Sequence, residues 1–319
     1  MSSTATTLPG VAGRRWGLVG LVALGVALFV AVGLIGVERY AWNYWLYRGF
    51  APPQDPAYVT VQGITEKIGV VSPALGRTQT AYVYLPPGYS AHPHRRYPVV
   101  YLMHGFPGRP LAFLLTVRMG VLEDALAARH RIVPPILVMP YGSTGTFTDK
   151  EWANGIHAHE GWETFVARDL VRAVDRQFRT IPSGAGRALA GLSEGGYGAL
   201  NIGLHHPGEF RVLESWSGYA RADNVHAIFG GNPALLARNT PLTSIARAAP
   251  ALRRAHTYVW LYSGSEDPLR VQNEAFANEL AHLHVAHRFL LVSGGHNWAV
   301  WRTHAQQALL TASQRLARA

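Results

Sequence analysis

One serine of the chain lies in a setting typical of a nucleophile. The segment 191–195, GLSEG, matches the pattern G-x-S-x-G. A short apolar run (187–191) precedes Ser193, and a helical pattern follows it until Pro207. A tight turn from strand to helix would expose the Ser193 hydroxyl, and the helix N-terminus would offer N–H groups to an oxyanion. The motif predicts acyl transfer through a serine. A glycine–serine turn without chemistry is the alternative.

A serine nucleophile needs a base, and the base needs a carboxylate to orient it. In a strand–turn–helix serine site the acid and then the histidine follow the serine along the chain. Asp267 and Glu266 follow one apolar run (257–262), and His296 follows the next (288–292). We therefore predict His296 as the base and Asp267 as its carboxylate, with Glu266 as the competing acid. A surface-loop histidine is the alternative for His296.

Two backbone N–H groups are expected to bind the oxyanion. One is that of Glu194, directly after the nucleophile, and the other is that of Phe106, in the loop after an early apolar run. His104, in the same loop, then has a structural role. If the Glu194 carboxylate faces the pocket, it opposes a developing oxyanion unless it is paired or protonated. Alternatively, it favours a cationic group on the substrate.

The elements that must position these residues follow from the apolar pattern. Short apolar runs predict buried strands, and they lie at 80–85, 98–103, 135–139, 187–191, 257–262 and 288–292. Two segments between them show helical periodicity. The stripe of 163–178 is Val166, Leu170, Val174 and Phe178, and that of 269–284 is Val271, Phe276, Leu280 and Leu283. Alternating strands and helices predict an α/β fold with a mostly parallel central sheet flanked by helices.

The N-terminal region contains 22 residues without a charge (16–37). As a helix this segment is about 33 Å long, enough to cross a hydrocarbon core of about 30 Å. Arg14 and Arg15 precede it, so the positive-inside rule places 1–15 in the cytoplasm and the rest of the protein outside. We predict an uncleaved transmembrane signal anchor. A cleaved signal peptide is the main alternative, but its apolar region is shorter and ends at a small-residue site. A buried helix of a soluble protein is the other alternative.

After this anchor, an aromatic interfacial segment and linker (38–57) is predicted to lead into one catalytic domain (58–319). The segment 219–256 would form a lid over the site. Its arginines could also contact lipid head groups. Candidates for a substrate pocket are Trp152, Asn154, Trp162 and Trp298. Core packing is an equal alternative for each tryptophan.

Composition excludes several kinds of protein. The 319 residues include no cysteine, which rules out disulfide scaffolds, thiolate metal sites and a cysteine nucleophile. The formal net charge is +10, but no run of Lys or Arg exceeds two residues, so we expect no nucleic-acid partner. Pairs such as His92 and His94 lack a convincing carboxylate arrangement, and we expect loop histidines rather than a metal site. No metal or organic cofactor is expected.

Several segments, in order, resemble the esterase D / antigen 85-type branch of the α/β hydrolases. The resemblance runs from about residue 70 to 308, and its pieces include YPVVYLMHG, EWANG, GWETFVARDL, ALAGLSEGGYGAL, HHPGEF, WSGY, SGSEDP and GGHNWAVW. It implies the α/β-hydrolase fold, Ser193 as nucleophile, His296 as base and an acid after the penultimate strand. This sequence has Glu194 where the family usually has Met or Gln. The mycolyltransferase branch has Glu as its acid, whereas Asp267 follows the wider esterase pattern.

Three functions are compatible with these residues. The first is a membrane-anchored ester hydrolase acting on a lipid or cell-envelope ester, in a bacterial cell envelope. The second is a mycolyltransferase-like acyltransferase to a sugar or lipid hydroxyl. The third is a non-catalytic binding protein on the same fold; the order Ser193, Asp267, His296 argues against it and Glu194 keeps it open.

Overall fold

The computed structural model describes residues 11–143, 151–222 and 226–317. The chain divides into two compact units, Met1–Ala51 and Pro52–Ala319. Residues 1–10 of the predicted cytoplasmic N-terminus (1–15) lie outside the described residues.

The first unit is built on one long helix, α1 (Val11–Tyr47). Its 37 residues make about 55 Å of helix, longer than the predicted 16–37. The side chains from 19 to 44 are exposed, Phe29 at 81%. The helix ends where Arg48 and Gly49 adopt positive φ angles of 53° and 84°. Among the described residues it is the one helix long and apolar enough to cross a membrane, from Val19 to Tyr47.

The second unit is built on a sheet of eight strands in the order β1-β2-β4-β3-β5-β6-β7-β8. The strands are β1 (Ile64–Ser72), β2 (Arg77–Leu85), β3 (Val99–Met103), β4 (Ile136–Pro140), β5 (Arg187–Leu192), β6 (Val212–Trp216), β7 (Tyr258–Gly264) and β8 (His287–Val292). Strands β1 and β2 form an antiparallel hairpin, and β2 pairs antiparallel with β4. The remaining pairs, from β4 through β8, are parallel. The predicted mostly parallel α/β fold is therefore confirmed.

The second unit also contains helices, most of which cover the two faces of this sheet. They are α2 (Ala112–Leu115), α3 (Met119–Ala128), α4 (Trp162–Thr164), α5 (Val171–Gln177), α6 (Glu194–His205), α7 (His226–Phe229), α8 (Pro233–Arg238), α9 (Pro241–Arg254), α10 (Arg270–His282) and α11 (Trp298–Arg315). Side chains of β3 alternate between two cores, Tyr101 and Met103 in one and Val100 and Leu102 in the other. The first core packs against α5, α6, α9 and α10, and the second against α2, α3 and α11.

The six predicted strands are all present, with ends displaced by up to three residues. Strands β1 and β6 were not predicted. β1 is an edge strand whose side chains are mostly exposed, so it carries no apolar run. In β6, Glu214 and Ser215 interrupt the apolar run, although every residue of the strand is buried.

The predicted helix 163–178 is α4 and α5 joined by a π-helical turn, Phe165–Leu170, and its predicted apolar stripe is buried. The predicted helix 269–284 corresponds to α10, but one part of its stripe is wrong. Val271 is 66% exposed, whereas Phe276 and Leu280 are buried. The physical reason is the helical spacing: Phe276 lies five positions after Val271, which places the two side chains about 140° apart around the helix.

Candidate active site

Ser193 lies at the sharp turn between β5 and α6. Its backbone angles are φ 54° and ψ −122°, a strained conformation for a residue with a side chain. Its N–H donates to the Trp216 carbonyl at 2.9 Å, which anchors the turn to β6. The flanking glycines are sterically required. A Cβ at Gly195 would lie 1.9 Å from the Met103 carbonyl oxygen, and one at Gly191 would lie 2.2 Å from the Gly195 oxygen.

His296 contacts both Ser193 and Asp267. Its Nε2 lies 2.9 Å from Ser193 Oγ, and its Nδ1 lies 3.0 Å from Asp267 Oδ2. The His296 side chain is 26% exposed, whereas that of Asp267 is fully buried. The Trp301 ring packs edge-on against the imidazole, with centroids 5.1 Å apart. The structure thus brings together the serine, histidine and aspartate that the sequence singled out.

The loops that carry Asp267 and His296 are bound to each other through their backbones. Ser265 N–H donates to the Val292 carbonyl at 2.7 Å, and Glu266 N–H donates to the Gly294 carbonyl at 2.9 Å. A Cβ at Gly264 would lie 2.1 Å from the Gly294 oxygen, so the close approach needs glycine there. The Glu266 side chain is exposed, and of the two candidate acids it is Asp267 that reaches the imidazole.

Hydrogen bonds determine the charge of Asp267. Burial acts to raise the pKa of its carboxyl, but the hydrogen bond from His296 and the 2.8 Å bond from Leu269 N–H outweigh burial, so the pKa is lowered. Asp267 is therefore a carboxylate at neutral pH. A carboxylate on Nδ1 favours the imidazole tautomer that carries hydrogen on Nδ1 and leaves Nε2 able to accept the Ser193 proton.

The two predicted oxyanion donors are the residue directly after Ser193 and a residue in the loop after β3. Glu194 is the first residue of α6. Phe106 follows Gly105, where a Cβ would lie 2.9 Å from Ser193 Cβ, so this loop runs directly beside the serine. Within the part of the chain that the structure describes, Phe106 N–H donates to no protein acceptor. Such a group is available to a ligand oxygen.

The Glu194 side chain is buried, and it lies near Tyr219 and Glu151, which the sequence does not predict. Burial and the nearby carboxylates of Glu151 and Glu194 raise the pKa of Tyr219 well above its usual range. The Tyr219 hydroxyl donates to Glu151 Oε2, and its ring stacks on Tyr197 with centroids 4.8 Å apart. No motif joins these residues in the sequence, because the contacts arise only when the segments before α4 and after β6 meet.

His104 occupies a fully protein-bound position. Its Nε2 accepts from Gly142 N–H at 3.0 Å, so its Nδ1 carries the hydrogen that is donated to the Gly105 carbonyl at 2.9 Å. Burial lowers the pKa of His104 to about 4. The imidazole is therefore neutral and holds the β3 loop, in keeping with the structural role expected for it.

The four candidate pocket residues lie in different environments. Trp152 and Trp162 are completely buried in the core, so the geometry supports the core-packing interpretation and leaves them no surface for a substrate. Asn154 binds Thr164, the last residue of α4, through two hydrogen bonds of 3.0 and 3.1 Å. Trp298 is half-buried and packs against Trp301, next to the imidazole.

The segment 219–256, predicted as a lid, contains α7, α8 and α9, and its residues 223–225 lie outside the described residues. It packs on α6, where the Tyr197 hydroxyl donates to the Asn239 carbonyl at 2.7 Å. Across the described ranges, no group of three His, Asp or Glu side chains is arranged to hold a metal ion.

Comparison with known proteins places this geometry in context. The model of a protein family described as "Putative esterase" matches residues 72–312. The chain is 35% identical over 151 residues to an endo-1,4-beta-xylanase/feruloyl esterase of Xylanibacter ruminicola, covering 46% of this chain and 20% of that protein. It is 26% identical over 156 residues to the diacylglycerol acyltransferase/mycolyltransferase Ag85C of Mycobacterium leprae, covering 41% of this chain and 45% of that protein. The chain thus spans less than half the length of these two relatives.

A solved structure of a ferulic acid esterase superposes with a TM-score of 0.71 at 22% identity. The superposition covers 81% of this chain and all of the other. At this level of identity the similarity shows the shared fold.

Proposed function

The chain belongs to the esterase family whose model matches residues 72–312, and from that premise we propose that it is a membrane-anchored serine ester hydrolase. Ser193 is the nucleophile, His296 the general base, and Asp267 the carboxylate that holds the imidazole tautomer. One observation carries the proposal. Two hydrogen bonds, of 2.9 and 3.0 Å, run without interruption from Ser193 through His296 to Asp267.

The reaction proceeds in two steps. Ser193 Oγ attacks the ester carbonyl carbon while His296 Nε2 accepts the hydroxyl proton, and the N–H groups of Phe106 and Glu194 bind the resulting oxyanion. The intermediate collapses, the alcohol leaves with the proton from His296, and an acyl-serine remains. Water then attacks the acyl carbon and gives its proton to His296. The acid departs, and the proton returns to Ser193.

Two matched pairs of variants test these roles. Fluorophosphonate labelling and hydrolysis of p-nitrophenyl acetate are measured on the full chain in non-ionic detergent. Ser193→Ala should abolish labelling, whereas Ser265→Ala, at an exposed serine, should leave it unchanged. Asp267→Asn should lower kcat by about 10⁴-fold, as loss of the orienting carboxylate does in serine triads. Glu266→Gln, one residue away and exposed, should stay within about twofold of wild type, as expected for a surface substitution.

Two outcomes of this experiment would reject the assignment. Persistent labelling of Ser193→Ala would mean that another residue is the nucleophile. A folded wild-type protein that neither labels nor hydrolyses esters would favour a non-catalytic binding protein.

We propose that the substrate is a lipid or cell-envelope ester. The support is the apolar helix α1, which would keep the enzyme at a membrane surface, and the ester chemistry in the names of its relatives. A series of p-nitrophenyl esters with increasing acyl length tests this directly. A kcat/KM that rises with chain length supports a lipid ester, and one confined to acetyl esters contradicts it.

Acyl transfer is the second candidate function, because of the similarity to a diacylglycerol acyltransferase/mycolyltransferase. In that reaction a sugar or lipid hydroxyl replaces water in the second step. The test is product analysis with a sugar acceptor present. Free acid as the main product supports the hydrolase, and acylated sugar formed faster than free acid supports the transferase.

Helix α1 is proposed to act as an uncleaved signal anchor, with the N-terminus in the cytoplasm and the catalytic domain outside. Its apolar length and the two arginines that precede residue 16 support this orientation. Epitope tags at both termini test it. An anchored protein retains both tags in the carbonate-washed membrane fraction, with only the C-terminal tag accessible to external protease. Loss of the N-terminal tag from the mature protein would indicate a cleaved signal peptide.

A further inference from the structure

We propose that a basic pocket at the amino-terminal ends of β6, β7 and β8 binds the phosphate group of an organic phosphate. The pocket has a volume of about 530 Å³ and is lined by Arg211, Arg253 and Arg315 together with His256, His284 and Gln314. Arg211 precedes β6, His256 precedes β7 and His284 precedes β8. Nothing in the proposed ester chemistry uses these residues.

The pocket is remote from Ser193 and its partners. Ser193, Asp267 and His296 follow the carboxyl ends of β5, β7 and β8, whereas the pocket lies where the strands begin. Strand β7 alone runs from Tyr258, in the pocket, to Gly264, and seven residues of strand span about 20 Å. A ligand here would not touch the serine.

Each arginine of the pocket is held in place by a neutral group. Arg211 Nη1 donates to the Ala255 carbonyl at 3.0 Å, and Arg253 Nη1 donates to the Leu283 carbonyl at 2.6 Å. The Arg315 guanidinium lies over the Tyr258 ring, 3.6 Å from its centroid. These contacts fix the three groups without neutralising them, and each retains several free N–H donors because a guanidinium has five.

No carboxylate compensates this charge among the residues that the structure describes. None of the three arginines forms an ion pair there, and no Asp or Glu lines the pocket. A second pocket shows the contrast. It includes Arg187, but Arg187 pairs with Asp175 at 2.6 Å and also with Glu209. That arginine is neutralised by the protein itself, whereas the pocket at β6–β8 leaves its charge for a ligand.

Charge and size together define the ligand class. Guanidinium groups present planar pairs of donors that match phosphate oxygens, and several of them favour a multiply charged oxyanion over a single carboxylate. The volume exceeds that of an inorganic ion and falls in the range of small-molecule sites. The ligand class is therefore an organic phosphate, either a soluble phosphate ester or the head group of an anionic phospholipid.

Thermal unfolding of the full chain in non-ionic detergent tests the proposal, because a ligand that binds the folded state raises the unfolding midpoint. Glycerol 3-phosphate at constant ionic strength is the soluble probe, with glycerol as its control. Micelles doped with phosphatidylglycerol are the lipid probe, with phosphatidylcholine as the control. We expect the wild-type midpoint to rise with at least one probe. A rise with glycerol 3-phosphate assigns a soluble ester, and a rise with phosphatidylglycerol alone assigns a lipid head group.

Two double variants, each of which removes two positive charges, show whether the rise in the unfolding midpoint comes from this pocket. Arg253→Gln with Arg315→Gln removes two exposed arginines of the pocket, and Arg168→Gln with Arg172→Gln removes two exposed arginines elsewhere. The pocket variant should need roughly 10-fold or more probe for the same rise, since charged hydrogen bonds are lost. The control variant should match wild type. Fluorophosphonate labelling of Ser193 should be unchanged in both, which separates this test from that of the esterase proposal.

The proposal is overturned if neither probe raises the wild-type midpoint. It is also overturned if the pocket variant and the control variant respond equally, because the effect would then be general charge screening.

Discussion

Replacing Glu214 with glutamine should stabilise the protein at neutral and alkaline pH. Glu214 lies in the middle of β6 and is 1% exposed. Its Oε2 accepts from the Trp216 indole N–H at 3.1 Å. Its Oε1 has no hydrogen-bond partner among the described residues. Burial raises the pKa of Glu214 from 4.5 to about 8, and the Trp216 hydrogen bond opposes this only in part. The folded protein therefore holds Glu214 as the neutral acid at pH 7.

The magnitude follows from the difference between the folded and unfolded states. Between pH 4.5 and 8 the unfolded chain releases the Glu214 proton and the folded chain retains it, so stability falls as pH rises. The stability that the retained Glu214 proton contributes is complete below pH 4.5, and it is lost as pH rises through 8. Each pH unit costs about 1.4 kcal/mol, which gives an upper limit of about 3 kcal/mol at pH 7. Glutamine imitates the neutral acid and does not titrate, so Glu214→Gln avoids this loss.

Urea unfolding of both proteins, followed by tryptophan fluorescence at pH 5, 7 and 9, provides the measurement. The difference in unfolding free energy between variant and wild type should be small at pH 5 and grow to a few kcal/mol at pH 9. Titration of other groups cancels in this difference. Glu66→Gln, at an exposed carboxylate on β1, is the control for the loss of one carboxylate and is measured at the same three pH values. A difference for Glu214→Gln that does not change with pH would refute the reasoning.

Three further substitutions test a tight turn, a helix cap and a buried ion pair, each by urea unfolding. Gly195→Ala should cost more than about 3 kcal/mol or prevent folding, since its Cβ would lie 1.9 Å from the Met103 oxygen; a stable variant would contradict the rigid turn. Asn297→Ala should cost about 1 kcal/mol, because Asn297 Oδ1 accepts from two N–H groups at the start of α11. Asn297→Asp should retain this cap, and equal loss in both would reject a capping role. Arg187→Met should cost about 3 kcal/mol, because it leaves the carboxylates of Asp175 and Glu209 without their arginine partner. Arg187→Lys should recover part of this loss.

The sequence predicts the centre of this fold better than its periphery. Strands such as β3 and β5 are buried on both faces, so their apolar runs are visible without knowledge of their neighbours. Strand β1 has no such apolar run, because most of its side chains are exposed. The strand is defined by its hairpin pairing with β2. Strand β6 has no continuous apolar run, because Glu214 interrupts it. Glu214 lies within the core as a neutral acid, a state that depends on burial.

The same distinction applies to the candidate site. Ser193, Asp267 and His296 each follow a strand, so their chain order already indicates that they meet at one sheet edge. The choice between Asp267 and Glu266 needs the structure, because it depends on which carboxylate turns toward the imidazole. The surroundings of Glu194 are not predictable from sequence, since Glu151 and Tyr219 come from distant segments with no shared pattern.

The position of β8 in the sheet has a consequence for how the protein loses activity on heating. Strand β5, before Ser193, is paired on both sides, whereas β8, before His296, lies at the sheet edge with β7 as its single neighbour. Leu291 of β8 is 50% exposed. Such edge segments open locally at lower free energy than central strands. Amide hydrogens of β8 should therefore exchange faster than those of β5, and the contact between His296 and Ser193 should break while most of the sheet persists. Thermal inactivation would then precede global unfolding, with the serine still in its turn and the imidazole displaced from it.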